Sequence, residues 1–293
     1  MTLIMTVVSR AGIWQSSDHR LSARTQPYRD PSIKHVRLDC TDGKALLAYA
    51  GIGRVGDTHI SDWVRRLLRG KRRSIHEALH TLVECSTARL APISARANLP
   101  HTFAVGAFRD GDPRLYVITN RVGSDNGVVF PAPKFYWHAW DIGPAEKAVI
   151  VYLDGSGAHS IKNNDAELLI AEHIEVNWGK AVLKDAIIDN LAFLNRRAAR
   201  NSKFVQVSPE CVISYLAPDG SMNHRWDGAP LFPPMTVLPH VAGEFDIKQI
   251  MEIMGPSVKD WMSQAWKAAE KGEKPPDLDR EAINAKLAAA DWA

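Results

Sequence analysis

Thr2 carries the most specific chemistry in the chain. Its side chain is small enough for a methionine aminopeptidase to remove Met1, which would leave an amine and a hydroxyl on one terminal residue. An α-amino group with an ordinary pKa of about 7.7–8.0 is partly neutral at cellular pH, so it can act as general base for the hydroxyl beside it. Other reactive side chains offer less. Cys40, Cys85 and Cys211 are an odd set without CxxC spacing, which argues against a disulfide framework and against a thiolate zinc site. His76 and His80 have the spacing of two ligands on a helix, but Glu77 is the nearest acid and no third ligand is evident. No metal and no cofactor is expected, and both histidines read as surface polar residues.

The run Arg65, Arg66, Arg69, Lys71, Arg72 and Arg73 could hold phosphates. Cations at a helix C-terminus also satisfy carbonyls and complement the dipole, so a solvated helix end is the preferred reading, and likewise for Arg196, Arg197 and Arg200. The formal net charge of +3 over 293 residues is too small to favour a nucleic-acid partner. With 45% apolar and 24% charged residues the chain can bury a sizeable core, which excludes wholesale disorder. The N-terminus has no basic segment ahead of its short apolar run, and no stretch approaches the roughly 18 apolar residues of a spanning helix. A soluble cytoplasmic protein without a membrane partner is expected.

The elements that must position Thr2 are strands. Residues 2–9 and 12–17, 35–40 and 45–50 alternate or run apolar between Gly and Asp punctuation. Helical spacing follows over 57–68, and a second helix starts at Ser74 with Glu77 as its capping-box partner. Residues 103–108 and 114–119 form a hairpin, and 120–145 read as irregular, an insertion around 122–141 rich in Gly, Pro and aromatics. A strand at 148–153, helices at 165–176 and 180–200, and a strand at 211–216 complete the body. Strands, two helices, strands, two helices, strands is not the alternation of a doubly wound sheet. It predicts an α+β fold, a four-layer αββα sandwich over residues 1–220. Residues 221–293 form a C-terminal extension, Pro-rich and then helical.

Several motifs then resemble a known family. Thr2-Leu3-Ile4-Met5-Thr6-Val7-Val8, Gly12-Ile13-Trp14, Ser17-Asp18-His19-Arg20, Lys34-His35-Val36-Arg37-Leu38 and Ala48-Tyr49-Ala50-Gly51 are similar, in order and spacing, to the start of proteasome β-type subunits and their bacterial ring-protease relatives. These are N-terminal-nucleophile hydrolases. The resemblance covers about residues 2–220 and is strongest in 2–56. It implies Thr2 as nucleophile, with Asp18 sixteen residues on and Lys34 thirty-two residues on, the family's intervals. It further implies the Gly51 N–H as oxyanion donor, Ser156 near the threonine amine, Arg20 after the aspartate, and Tyr49 as the floor of a substrate pocket. The chemistry is coherent: the Lys34 ammonium would favour loss of the hydroxyl proton, and Asp18 would orient that ammonium.

One stretch departs from the pattern. Where the family has an Arg-Asp-x-x-Ser-Gly-Gly-like run, this chain reads Arg196-Arg197-Ala198-Ala199-Arg200-Asn201-Ser202-Lys203, leaving Ser202 to cover part of that role. The resemblance implies a threonine-type peptidase acting on protein or peptide substrates in a ring-shaped homo-oligomer, with an ATP-dependent unfoldase as a partner that would feed it, and activated by loss of Met1 alone. The alternatives are a scaffold that kept the sandwich without the chemistry, and a small-molecule amidase.

Overall fold

A computed structural model describes residues 2–19, 32–123, 129–161, 163–201, 207–228, 238–242, 245–271 and 273–290. The chain opens with an antiparallel hairpin, β1 (Ile4–Ser9) and β2 (Gly12–Asp18), registered with Ile4 opposite Ser17. A second hairpin pairs β3 (His35–Cys40) with β4 (Gly43–Ala50). A short ribbon, β5 (Arg54–Val55) and β6 (Thr58–His59), leads to α1 (Ile60–Leu68) and α2 (Ile75–Ala97). Ser74 caps α2 in a reciprocal capping box with Glu77, which satisfies two otherwise orphaned N–H groups.

A meander follows, β7 (Thr102–Arg109), β8 (Asp112–Gly123) and β9 (Val129–Asp141), and then β10 (Val149–Asp154). Next come α3 (Asn163–Asn177), α4 (Leu183–Asn201), β11 (Cys211–Leu216) and β12 (Met222–Asp227). The chain closes with β13 (His240–Ala242), β14 (Phe245–Asp246), α5 (Ile247–Glu270) and α6 (Arg280–Ala288).

The result is a mixed α+β fold with two main sheets. One has the order β10-β1-β2-β11-β12, the other β14-β13-β3-β4-β7-β8-β9. Their inner faces meet, with β1 and β2 against β4 and β7. Helices α1 and α2 lie on the outer face of the seven-stranded sheet, and α3 and α4 on that of the five-stranded sheet. Alternation within strands feeds both sides. In β4, Ala45, Leu47 and Tyr49 point toward α1 and α2, whereas Leu46, Ala48 and Ala50 point toward the other sheet. In β1, Met5 and Val7 face α3 and α4, and Ile4 and Val8 face inward.

The space between the sheets is partly polar. Gln15 Nε2 donates to Thr6 Oγ1 (3.1 Å) and to the Ala104 carbonyl of the opposite sheet (3.0 Å). His35 Nδ1 and Ser214 Oγ make a second cross-sheet bond of 2.9 Å. Paired polar groups of this kind fix how two sheets register, because a slip would leave each of them unsatisfied in a dry interior.

Three sequence-based expectations change. Residues expected to be irregular contain β9, a strand of 13 residues. Its prolines, Pro131 and Pro133, are tolerated because β9 is an edge strand with one ladder to satisfy. The basic run is not simply a solvated helix end. Arg65 is buried and bonds Asp246, the N-cap of α5, at 2.6 and 2.7 Å, and Asp62 at 2.6 Å. Arg69 donates to Gln249, so α5 is held to α1 through charged and polar contacts. Beyond residue 220, β12 adds to the five-stranded sheet beside β11, and β13 pairs in parallel with β3. No described helix is long and apolar enough to cross a membrane.

Candidate active site

Thr2 enters the fold just ahead of β1, and its main chain is held from two sides. The N–H of the next residue, Leu3, donates to Asp18 Oδ1 at 3.0 Å, and the Thr2 carbonyl accepts from Gly157 N–H at 3.2 Å. Gly155 passes so close that a Cβ there would lie 2.0 Å from the Thr2 carbonyl oxygen, and its φ of +89° is one that side-chain-bearing residues avoid. Sequence and geometry agree here: Asp154-Gly155-Ser156-Gly157 closes β10 and wraps the residue ahead of the neighbouring strand.

Asp18 ends β2, and Lys34 immediately precedes β3 of the opposite sheet. Lys34 Nζ donates to Thr2 Oγ1 at 2.8 Å and to Asp18 Oδ1 at 2.8 Å. The second carboxylate oxygen of Asp18 accepts from the Ser208 N–H at 3.2 Å. All three side chains are buried, Lys34 and Asp18 completely. A lysine ammonium is almost never enclosed without a counter-charge, since its desolvation costs several kcal/mol, so the pair with Asp18 is what permits it here. Next to them His19 has its pKa lowered to about 4, by burial first, with Asp18 opposing and Lys34 reinforcing the shift. It is therefore neutral at pH 7.

Gly51 follows β4 on the facing sheet. Its φ is +108°, and a Cβ would come within 2.4 Å of the Pro100 carbonyl oxygen, so both conformation and space demand glycine. The next N–H, of Ile52, is accepted by His101 Nδ1 at 3.0 Å, and burial drives His101 to a pKa of about 3. That imidazole is thus a neutral acceptor fixing the turn. Thr2, Ala50, Gly51, Gly155 and Ser156 line a single cleft of about 150 Å³, completed by Thr102, Arg121, Asp154, His159 and the Leu99-Pro100 loop. Ser156 Oγ is buried there with no hydrogen-bond partner among the described residues.

The structure therefore brings together Thr2, Asp18, Lys34, Gly51 and Ser156. Tyr49 is not at the cleft. Its ring lies on the helix side of β4, stacked on His101 (5.9 Å) with its hydroxyl 3.3 Å from Ser32 Oγ. Arg20, Ser202 and Met1 lie outside the described residues. Sequence reasoning passed over Ser208, whose backbone anchors Asp18, and over the charged pair Arg121 and Asp154 in the cleft. Cysteine chemistry is disfavoured: burial, then neighbouring aspartates, push the Cys40 thiol up to about 12, and burial with Asp227 does the same to Cys211.

No family model matches the chain, and no curated protein matches it. Solved structures do. It is similar to Anbu (ancestral beta-subunit) from Yersinia bercovieri at a TM-score of 0.50 and 12% identity, over 76% of this chain and 86% of that one. It is also similar to a chain of the helical assembly of the Anbu complex from Pseudomonas aeruginosa, at a TM-score of 0.51 and 12% identity, over 95% of this chain and 100% of that one. Likeness at this identity shows a shared fold. The family placement expected from the N-terminal motifs is corrected by these results: neither a family model nor a curated protein supports assignment to the N-terminal-nucleophile hydrolases, and the structural likeness runs to the Anbu proteins at 12% identity.

Proposed function

We propose that the chain hydrolyses amide bonds in peptides with Thr2 as nucleophile, once Met1 has been removed. The observation that carries this is the buried Lys34 ammonium, 2.8 Å from both Thr2 Oγ1 and Asp18 Oδ1. A cation held against a hydroxyl oxygen stabilises the negative charge that develops there as the proton leaves. Asp18 has the supporting role of keeping that cation in place and charged.

In the proposed reaction the Thr2 oxygen attacks the substrate carbonyl carbon while its proton passes to the Thr2 amine. The oxyanion that forms is stabilised by the Gly51 N–H. The amine then delivers the proton to the leaving nitrogen as the C–N bond breaks, leaving an ester on Thr2. Water, giving its proton to the same amine, attacks the ester. Collapse returns the proton to the Thr2 oxygen and releases the acid. Ser156, buried beside this position and without a hydrogen-bond partner among the described residues, is assigned to the terminal amine.

The layer arrangement is read with this function as a four-layer αββα sandwich. Residues 1–220 supply the chemistry, and 221–293 brace it through β12, β13 and α5. Homo-oligomerisation belongs to the same proposal, supported by the helical assembly described for the Pseudomonas aeruginosa Anbu complex. Turnover of fluorogenic peptides by chain whose mass shows Met1 loss, compared with Thr2→Ala, tests the reading. Activity should vanish in the variant with unfolding unchanged, and an equal rate would rule Thr2 out.

A further inference from the structure

Resting on the proposed role of Thr2, we propose that Arg121 is a carboxylate receptor in the same cleft, so that the preferred substrate carries an acidic side chain next to the bond attacked. Arg121 and Asp154 are the guanidinium and the carboxylate lining this space, and they are not equivalent. Asp154 is 3% exposed and its oxygens are engaged: Oδ1 accepts from Arg121 Nη1 (3.0 Å) and Gly155 N–H (2.5 Å), and Oδ2 from the Tyr152 hydroxyl (3.0 Å). Arg121 is 41% exposed. A guanidinium has five N–H donors in a planar fork, so one bond to Asp154 leaves donors to present to a ligand.

The backbone aims this side chain. The register between β8 and β9 shifts between Thr119 and Arg121, an irregularity that redirects the residue it holds. Arg121 N–H donates to Thr119 Oγ1 at 3.0 Å, and its carbonyl accepts from the Tyr136 hydroxyl, so the main chain is pinned on both sides. The buried carboxylate then acts as a tether, holding one end of the guanidinium while the other faces the cleft. The cleft, about 150 Å³, has room for an aspartate or glutamate side chain. A charge-assisted bond made there would discriminate strongly between an acid and its amide.

The test reads binding, which does not require turnover. The affinities of acetyl-Ala-Ala-Glu-amide and acetyl-Ala-Ala-Gln-amide are measured by calorimetry on the full chain and on Arg121→Gln. The glutamate peptide should bind the native chain about 10-fold or more tighter, from the usual strength of a hydrogen bond to a charged group, and Arg121→Gln should equalise the two. Should that variant fail to fold with Asp154 left unpaired, Arg121→Gln/Asp154→Asn removes both charges and should equalise them too. Equal or undetectable binding of both peptides by the native chain, or a preference that survives either variant, overturns the proposal. Loss of peptide hydrolysis with the binding preference intact would instead count against Thr2 chemistry alone.

Discussion

Gly155 and the carbonyl of Thr2 are in van der Waals contact so close that no side chain fits between them: an added Cβ would stand 2.0 Å from the oxygen. Gly155→Ala must therefore displace Thr2 or the turn, on top of the strain of φ +89°. Peptide hydrolysis should fall at least about 100-fold, the effect expected when a reacting group shifts by about 1 Å. A crystal structure of the variant should show Thr2 moved away from Lys34, and full activity would show that its placement is unimportant.

Asp18 and Lys34 are interdependent. Lys34→Met removes the counter-charge of the buried Asp18 carboxylate, which also accepts from the Leu3 and Ser208 N–H groups, and removing one partner of a buried pair costs about 3–5 kcal/mol. Denaturant unfolding should report that loss together with a fall in activity. Asp18→Asn keeps an acceptor for Leu3 N–H but removes the counter-charge, so activity should fall by at least about 100-fold, and the pH profile of any surviving activity should shift to lower pH because the neighbouring cation and amine lose their protons more readily without that negative charge. A pH profile unchanged from the native chain would contradict the electrostatic role.

Buried histidines set an acid limit on stability. Burial, assisted by nearby cations, lowers His35 to about 3, and burial alone lowers His101 to about 3. Each binds its proton more readily in the unfolded chain, where the pKa is near 6.5. Their contribution is therefore complete above about pH 6.5 and is lost progressively as the pH falls toward 3. Chemical denaturation should show stability dropping already between pH 6.5 and 5, above the carboxylate range, with a shallower slope in His35→Asn. A flat profile over that interval would contradict burial of the neutral imidazoles.

Arg65 and Asp246 join the first helix to the last part of the fold. Asp246→Ala removes both the α5 N-cap and one of the two carboxylates paired with Arg65, whose side chain is 7% exposed. The expected loss is about 3–5 kcal/mol, accompanied by rapid proteolysis within residues 247–271. Native resistance to protease would mean that α5 is held by other contacts.

Much of the fold was legible because the hairpins and helices announce themselves through local pattern. The turns at Gly12 and Thr41-Asp42, the alternation in 35–40 and the capping box at Ser74 each depend on neighbours in sequence. What the sequence hid depends on distant partners. β9 was masked by Pro131 and Pro133, which are acceptable because, among the described residues, no strand pairs with its outer edge. The burial of Arg65 depends on an aspartate 181 residues away. In the candidate site, Thr2, Asp18 and Lys34 sit at strand ends, where spacing along the chain maps onto proximity in space. The face of Tyr49 was not readable, because the run from Ala45 to Ala50 is apolar throughout and carries no period of two. Arg121 was missed because β8 continues past the expected strand at 114–119 into residues read as irregular.

The most direct measurement is intact-mass analysis of natively expressed chain before and after exposure to a peptide epoxyketone, which reacts with an amine and a hydroxyl on the same residue. The account expects a chain lacking Met1 that gains one inhibitor mass on Thr2, with no gain in Thr2→Ala. A chain that has lost Met1 and still acquires no adduct would contradict it.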